Sequence, residues 1–192
     1  MRLFVAVELP DAVRDVIAAG LGRLKRDQPG ARWVRPGGMH LTLKFLGERP
    51  EGFVAEIDGA AAAALAALPV VGVCLGGGGF FPNDQRPRVA WVGGEAGGLE
   101  RWAAAVDAAA ASLGVERESR PYTPHLTLAR LERPWGAQAI EHFRVEVGKW
   151  RLPEFEAREA VLFRSELTPA GPVHTAMRRW RVRAGEGDGD GA

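Results

Sequence analysis

The chain has 192 residues, 46% of them hydrophobic, a formal net charge of +1 and a single cysteine. That length and apolar content suit one domain with a real core, while the lone Cys74 excludes an internal disulfide and a cysteine-built metal cluster. A balance so near neutrality excludes a binder that relies on bulk charge alone, and no run of about 18 apolar residues exists to cross a membrane.

R-L-F-V-A-V-E-L opens the chain with a strand pattern. Glu8 and Pro10 interrupt it too soon for a signal peptide, so a cytoplasmic protein is expected. A helix follows Asp11, with Val13, Val16, Ile17, Leu21 and Leu24 at the 3.6-residue period. A loop through Pro29 and Gly30 leads to W-V-R-P-G-G and then to the strand H-L-T-L-K-F-L. A second helix is expected over 51–68, ended by Pro69. V-V-G-V-C-L and R-V-A-W-V are expected strands, separated by a turn made of glycines 76–79 and F-F-P-N-D-Q-R-P. Cys74 in that apolar run reads as a small core residue.

The second half follows the same order. A helix over 97–113 stops at Gly114, R-P-Y-T-P introduces a second H-L-T-L strand, and a short helix spans about 135–143. Three strands near 151–157, 159–167 and 173–183 complete the pattern. The order is that of an imperfect duplication, with two lobes facing each other in a domain over 1–183. The segment 184–192, with Glu186, Asp188 and Asp190 among glycines, is expected to be a disordered acidic tail. Of the basic residues, all but Lys25, Lys44 and Lys149 are arginine.

Pro36 and Pro121 each lie four positions before a histidine, giving P-x-x-x-H-L-T-L twice. Alternate side chains of a strand share a face, so His40 joins Thr42 and His125 joins Thr127, above a floor of leucines. One such strand could be only a solvent face. The same frame twice, in a chain with four histidines, points to two convergent pairs. His142 and His174 have no such frame and are expected on the surface. Two imidazoles on opposite sides of a substrate suit general acid–base catalysis, and the hydroxyls suit oxygens where charge develops. A metal site is the competing use, but no Asp or Glu lies within either frame to act as third ligand.

These stretches resemble the two-histidine phosphoesterases, and within them the RNA 2′,3′-cyclic phosphodiesterases, also called 2′-5′ RNA ligases. The likeness is carried by R-L-F-V-A-V-E-L-P at 2–10, H-L-T-L-K-F-L-G at 40–47, R-V-A-W-V-G at 88–93, P-Y-T-P-H-L-T-L-A-R at 121–130 and L-F-R-S-E-L-T-P-A-G-P at 162–172. It implies a bilobal α+β fold, two antiparallel sheets lining a cleft, and no metal or organic cofactor. It implies hydrolysis of a 2′,3′-cyclic phosphate at an RNA 3′ end to a 2′-phosphate, with small cyclic nucleotides as further substrates. By that likeness His40 is the proton donor to the 3′ oxygen, His125 the base, Thr42 and Thr127 the phosphate holders, and Arg130 an added positive charge.

Strand parity puts Arg130 opposite His125 and puts Lys44 on the His40 face, with Phe45 where a second arginine would stand. RNA 3′ ends are gripped by stacking of bases, for which Phe4, Trp33, Tyr122 and Phe81 are candidates, with core packing the competing and favoured use of each. The reverse reaction, joining the cyclic phosphate to a 5′-hydroxyl, and a nucleotide-binding module without turnover are the rival readings. No apolar edge or coiled-coil pattern stands out, so a monomer is the default.

Overall fold

The apolar run at the start of the chain becomes β1 (Arg2–Glu8), buried on both faces from Leu3 to Val7. Helix α1 (Asp11–Asp27) follows from Pro10, with Asp11 in its first turn and Lys25 and Arg26 in its last, which suits the helix dipole. Its face of Val13, Ile17, Leu21 and Leu24 is buried, and each such side chain contributes about 1.5–3 kcal/mol against exposure. The structure, a computed structural model, describes residues 1–28, 30–169 and 171–183. The expected acidic tail, 184–192, lies outside the described residues.

After α1 come a short strand β2 (Ala31–Trp33), which the loop reading missed, one 3₁₀ turn (Pro36–Gly38), and β3 (His40–Glu48). Helix α2 (Phe53–Leu65) leads to β4 (Val71–Phe81), then β5 (Val89–Glu95), α3 (Leu99–Ser112) and β6 (His125–Leu131). Helix α4 (Ala137–Gly148) runs past the expected end at 143 because Phe143 and Val147 continue its buried stripe. β7 (Phe155–Ala157), β8 (Glu159–Thr168) and β9 (Gly171–Arg181) close the described fold.

The strands form two antiparallel sheets, ordered β3-β1-β8-β9 and β2-β6-β5-β4-β7. β1, α1, β3 and α2 of the first half correspond to β5, α3, β6 and α4 of the second. Each half then sends its last strands into the other half's sheet: β4 lies beside β5, and β8 beside β1. The expected bilobal α+β duplication is therefore present, with its lobes tied by exchanged strands rather than merely facing. β3 and β6, which carry the two motifs, approach each other between the sheets.

Glycines 76–79 are not a turn but part of β4. A Cβ on Gly78 would lie 2.7 Å from the Phe143 ring, and one on Gly79 would lie 2.3 Å from the Trp91 indole. Two aromatic rings, one brought by α4 and one by β5, press directly on this backbone, and only glycine leaves them room. Cys74 is exposed rather than in the core, because β4 alternates Val73 and Leu75 inward with Cys74 outward.

Candidate active site

Both motif strands begin at their histidine, and both rings are fixed in the same way. His40 Nδ1 lies 3.0 Å from the Gly38 carbonyl oxygen, and His125 Nδ1 lies 2.7 Å from that of Thr123. A carbonyl only accepts, so Nδ1 carries a hydrogen in each ring, and Nε2 is the atom left to accept or donate a proton. Each ring is also backed by a phenylalanine. Phe4 stacks on His40 with centroids 4.5 Å apart, and Phe81 meets His125 edge-on at 4.8 Å.

A bulge then resets the alternation in each strand. Ala6 pairs with Thr42 and Val5 with Lys44, so Leu43 has no partner of its own; likewise Trp91 pairs with Thr127 and Ala90 with Ala129, skipping Leu128. Two consecutive residues turn to the core after each threonine, and the third returns to the cleft. The burial sequences match position by position, from half-buried His40 to exposed Phe45 and from half-buried His125 to exposed Arg130. The parity argument for Arg130 is thus corrected: the bulge at Leu128 puts it on the same face as His125 and Thr127.

The same bulge corrects Lys44. It points away from His40 into the protein, where Nζ lies 2.7 Å from Asp107 Oδ1 of α3 and donates to the Glu116 carbonyl oxygen at 2.7 Å. Burial works against the Asp107 charge, but the hydrogen bonds from Lys44 and the Glu118 N–H outweigh it and hold its pKa below the ordinary value. This buried pair pins the back of β3 to α3.

The aromatic candidates separate. Phe4 is 3% exposed beneath His40, so it is a floor for the ring and has no open face for a base. Phe81 is half-buried at His125. Trp33 packs on Trp135, centroids 6.1 Å apart, and Tyr122 packs against the main core with its hydroxyl buried and unpartnered. Phe4, Ala6, Val161 and Phe163 form a small apolar cluster apart from the main core. Trp91 opposes Thr127 in register, its indole lying over Gly79 and Gly93.

Two residues escaped the sequence reading. Phe45, 65% exposed, stands on the cleft face with its centroid 6.2 Å from that of Phe4. His174, expected at the surface, has its centroid 5.3 Å from that of His40. Their only signals were the repeated frame, which makes Phe45 the counterpart of Arg130, and the placement of His174 on a predicted strand. His142 does sit outside, beside Asp27.

Burial, and after it the nearby His174, lower the His40 pKa to about 4, with His125 adding a smaller push in the same direction. These surroundings favour neutral His40 at pH 7. Among the described residues no three His, Cys, Asp or Glu side chains converge as ligands for a metal.

The family model of the 2′-5′ RNA ligase superfamily matches residues 9–168. An RNA 2′,3′-cyclic phosphodiesterase of Thermus thermophilus is 37% identical over 97% of this chain and 93% of its own, and that of Methanothermobacter thermautotrophicus is 32% identical over 95% and 99%. A crystal structure of a Thermus thermophilus protein superposes with a TM-score of 0.79 at 32% identity, covering 96% of this chain and all of that one. Escherichia coli LigT complexed with 3′-AMP superposes with a TM-score of 0.74 at 26% identity, covering 94% and 97%. With its paired motifs, its fold and its relatives in agreement over nearly the whole length, the chain belongs to the 2′-5′ RNA ligase superfamily.

Proposed function

We propose that this protein hydrolyses the 2′,3′-cyclic phosphate at RNA 3′ ends, leaving a 2′-phosphate, and that it does so without a metal. The observation that carries the reading is the pair of matched His–Thr frames, each with an Nε2 left to accept or donate a proton and a hydroxyl on one face. Relatives that align over nearly their full length bear the name of this activity.

The cyclic phosphate lies between the two strands. His125 Nε2 takes a proton from water as the water oxygen bonds to phosphorus. The bond from phosphorus to the 3′ oxygen breaks, and His40 Nε2–H gives that oxygen its proton. Thr42 and Thr127 donate to the non-bridging oxygens, where negative charge builds, and Arg130 adds its charge on the His125 side. His40 enters this scheme only when protonated. A bound phosphodiester anion favours the charged ring and raises the pKa of His40.

Phe45 offers an open ring for the terminal base, whereas Phe4 is buried and Trp33 and Tyr122 are half-buried against the core. Joining to a 5′-hydroxyl is the same displacement with the alcohol in place of water: the 5′ oxygen bonds to phosphorus and gives its proton to His125 as the 3′ oxygen leaves with the proton of His40.

Phosphorus NMR of the product from 2′,3′-cyclic AMP in EDTA is the test. A 2′-phosphate alone is expected. A 3′-phosphate would exchange the leaving group and the histidine roles, no turnover would leave a binding module, and turnover restored only by added metal would remove the side-chain mechanism.

A further inference from the structure

His174 belongs to β9, opposite Ser165 of β8, on the edge of its sheet farthest in strand order from β3. The sheet curls enough for these two edges to meet over its face. The His174 ring stands at 85° to that of His40, and at 81° to Phe4 with centroids 5.0 Å apart. Phe163 closes the group, 5.2 Å from Phe4, 6.2 Å from His40 and 6.4 Å from His174. His40 is thus boxed: Phe4 beneath it, Phe163 beyond, and the edge of a second imidazole across its side.

His174 also reaches the other determinant of the His40 ring. A Cβ placed on Gly38, whose carbonyl takes the His40 Nδ1 hydrogen, would lie 3.9 Å from His174 Cδ2. His174 Nδ1 itself is buried with no hydrogen-bond partner, so packing rather than hydrogen bonding holds the ring. A neutral ring with an orphaned Nδ1 carries its hydrogen on Nε2, and a charged ring would leave a buried N–H without an acceptor.

The groups facing this pair are few. β1 presents Phe4, β8 presents Phe163 and Ser165, and the 3₁₀ turn presents Gly38. His125 of β6 acts on His40 from across the cleft. Glu8, opposite His40 in register, is already ion-paired with Arg179 of β9. No carboxylate is engaged with either ring among the described residues, so nothing there neutralises a second positive charge, and two adjacent imidazolium rings repel.

We propose that His174 is a positioning residue for His40: it fixes the ring over Phe4 and lets the pair hold only one proton, so that His40 gains its proton when an anion enters the cleft. Burial holds both rings toward the neutral form, and a charge on His174 opposes protonation of His40. A phosphate oxygen against His40 Nε2 favours the proton there. The acid is thereby generated by the substrate it serves. The inference rests on the reading of His40 as the acid, but its first test does not need turnover.

His174→Phe keeps a ring in the box and removes the second proton site; His174→Ala opens the box. Histidine NMR titrations of the whole chain, with circular dichroism to establish folding, read His40 directly. In His174→Phe the His40 midpoint should rise by about one pH unit, as expected for removal of a neighbouring like charge. The limb of the kcat/KM profile on 2′,3′-cyclic AMP that His40 sets should move up with it, while kcat at the optimum falls less than it does in His174→Ala. A folded His174→Phe with an unmoved midpoint would make His174 packing only and overturn the proposal. A moved midpoint in a protein with no activity on cyclic phosphates would keep the coupling and sink the proposed function instead.

Discussion

Phe45 and Arg130 stand at the same place in two copies of one bulged strand. Behind them Lys44 and Ala129 are buried, and before those the unpaired Leu43 and Leu128 reset the alternation. A duplicated frame thus presents an open aromatic ring on one side and a cation on the other. A nucleotide has that asymmetry too, a flat base at one end and an anion at the other.

Phe45→Leu is expected to raise KM for 2′,3′-cyclic AMP about 10-fold with little change in kcat, the low end of a base–aromatic stack worth about 1–3 kcal/mol. Arg130→Met should instead lower kcat, since it acts on charge that grows in the transition state. Running both variants on a cyclic glycerophosphate, which has no base, separates the roles. An equal KM increase there would make Phe45 a packing residue.

Thr42→Val and Thr127→Val are each expected to lower kcat by about 10²–10³, as for one lost donor to a developing oxyanion. His40→Ala and His125→Ala should cost more, and the double variant little beyond either single, because the pair works as a unit. Single-turnover rates on 2′,3′-cyclic AMP decide this. Full activity in both valine variants would assign the phosphate to other groups.

Phosphate binding near neutral pH should take up a proton. Burial and the neighbouring His174 lower the His40 pKa to about 4, and an anion at Nε2 raises it. Calorimetric titration of inorganic phosphate into the protein, in buffers of different ionisation enthalpy, measures the uptake. His40→Gln should abolish it; equal uptake in that variant would place the proton elsewhere.

Lys44→Met leaves the Asp107 charge buried and is expected to destabilise the fold by about 3–5 kcal/mol in urea unfolding. The pH dependence has a definite sign. Asp107 titrates below its ordinary 3.8 when folded, so the stability it confers is whole above that value and is lost as pH falls through the folded pKa. The wild type should lose this increment in acid, and Asp107→Asn should lack that part of the acid dependence.

The element order and both His–Thr faces were legible because they rest on local periodicities. Period 2 placed Leu41 and Leu126 inward with His40 and His125 outward, and period 3.6 gave the buried stripe of α1. Legibility stopped after each threonine. Nothing in L-K-F-L or L-A-R-L announces that one residue will go unpaired. The parity that was right for two residues was therefore wrong for Lys44 and Arg130. The glycines of β4 failed for a related reason: their cause is the approach of Phe143 and Trp91, residues remote in sequence.

The sequence by itself determined the two His–Thr pairs, since a repeated eight-residue frame fixes which side chains share a strand face, whatever the rest of the chain does. Only the tertiary structure decided their surroundings. Which face a residue takes beyond a bulge depends on the register of the neighbouring strand. That His174 stands against His40 depends on the curl of a four-stranded sheet. Strand alternation is a property of neighbours along the chain, whereas burial, sheet curvature and the charge felt by an imidazole are set by atoms that folding brings in from afar.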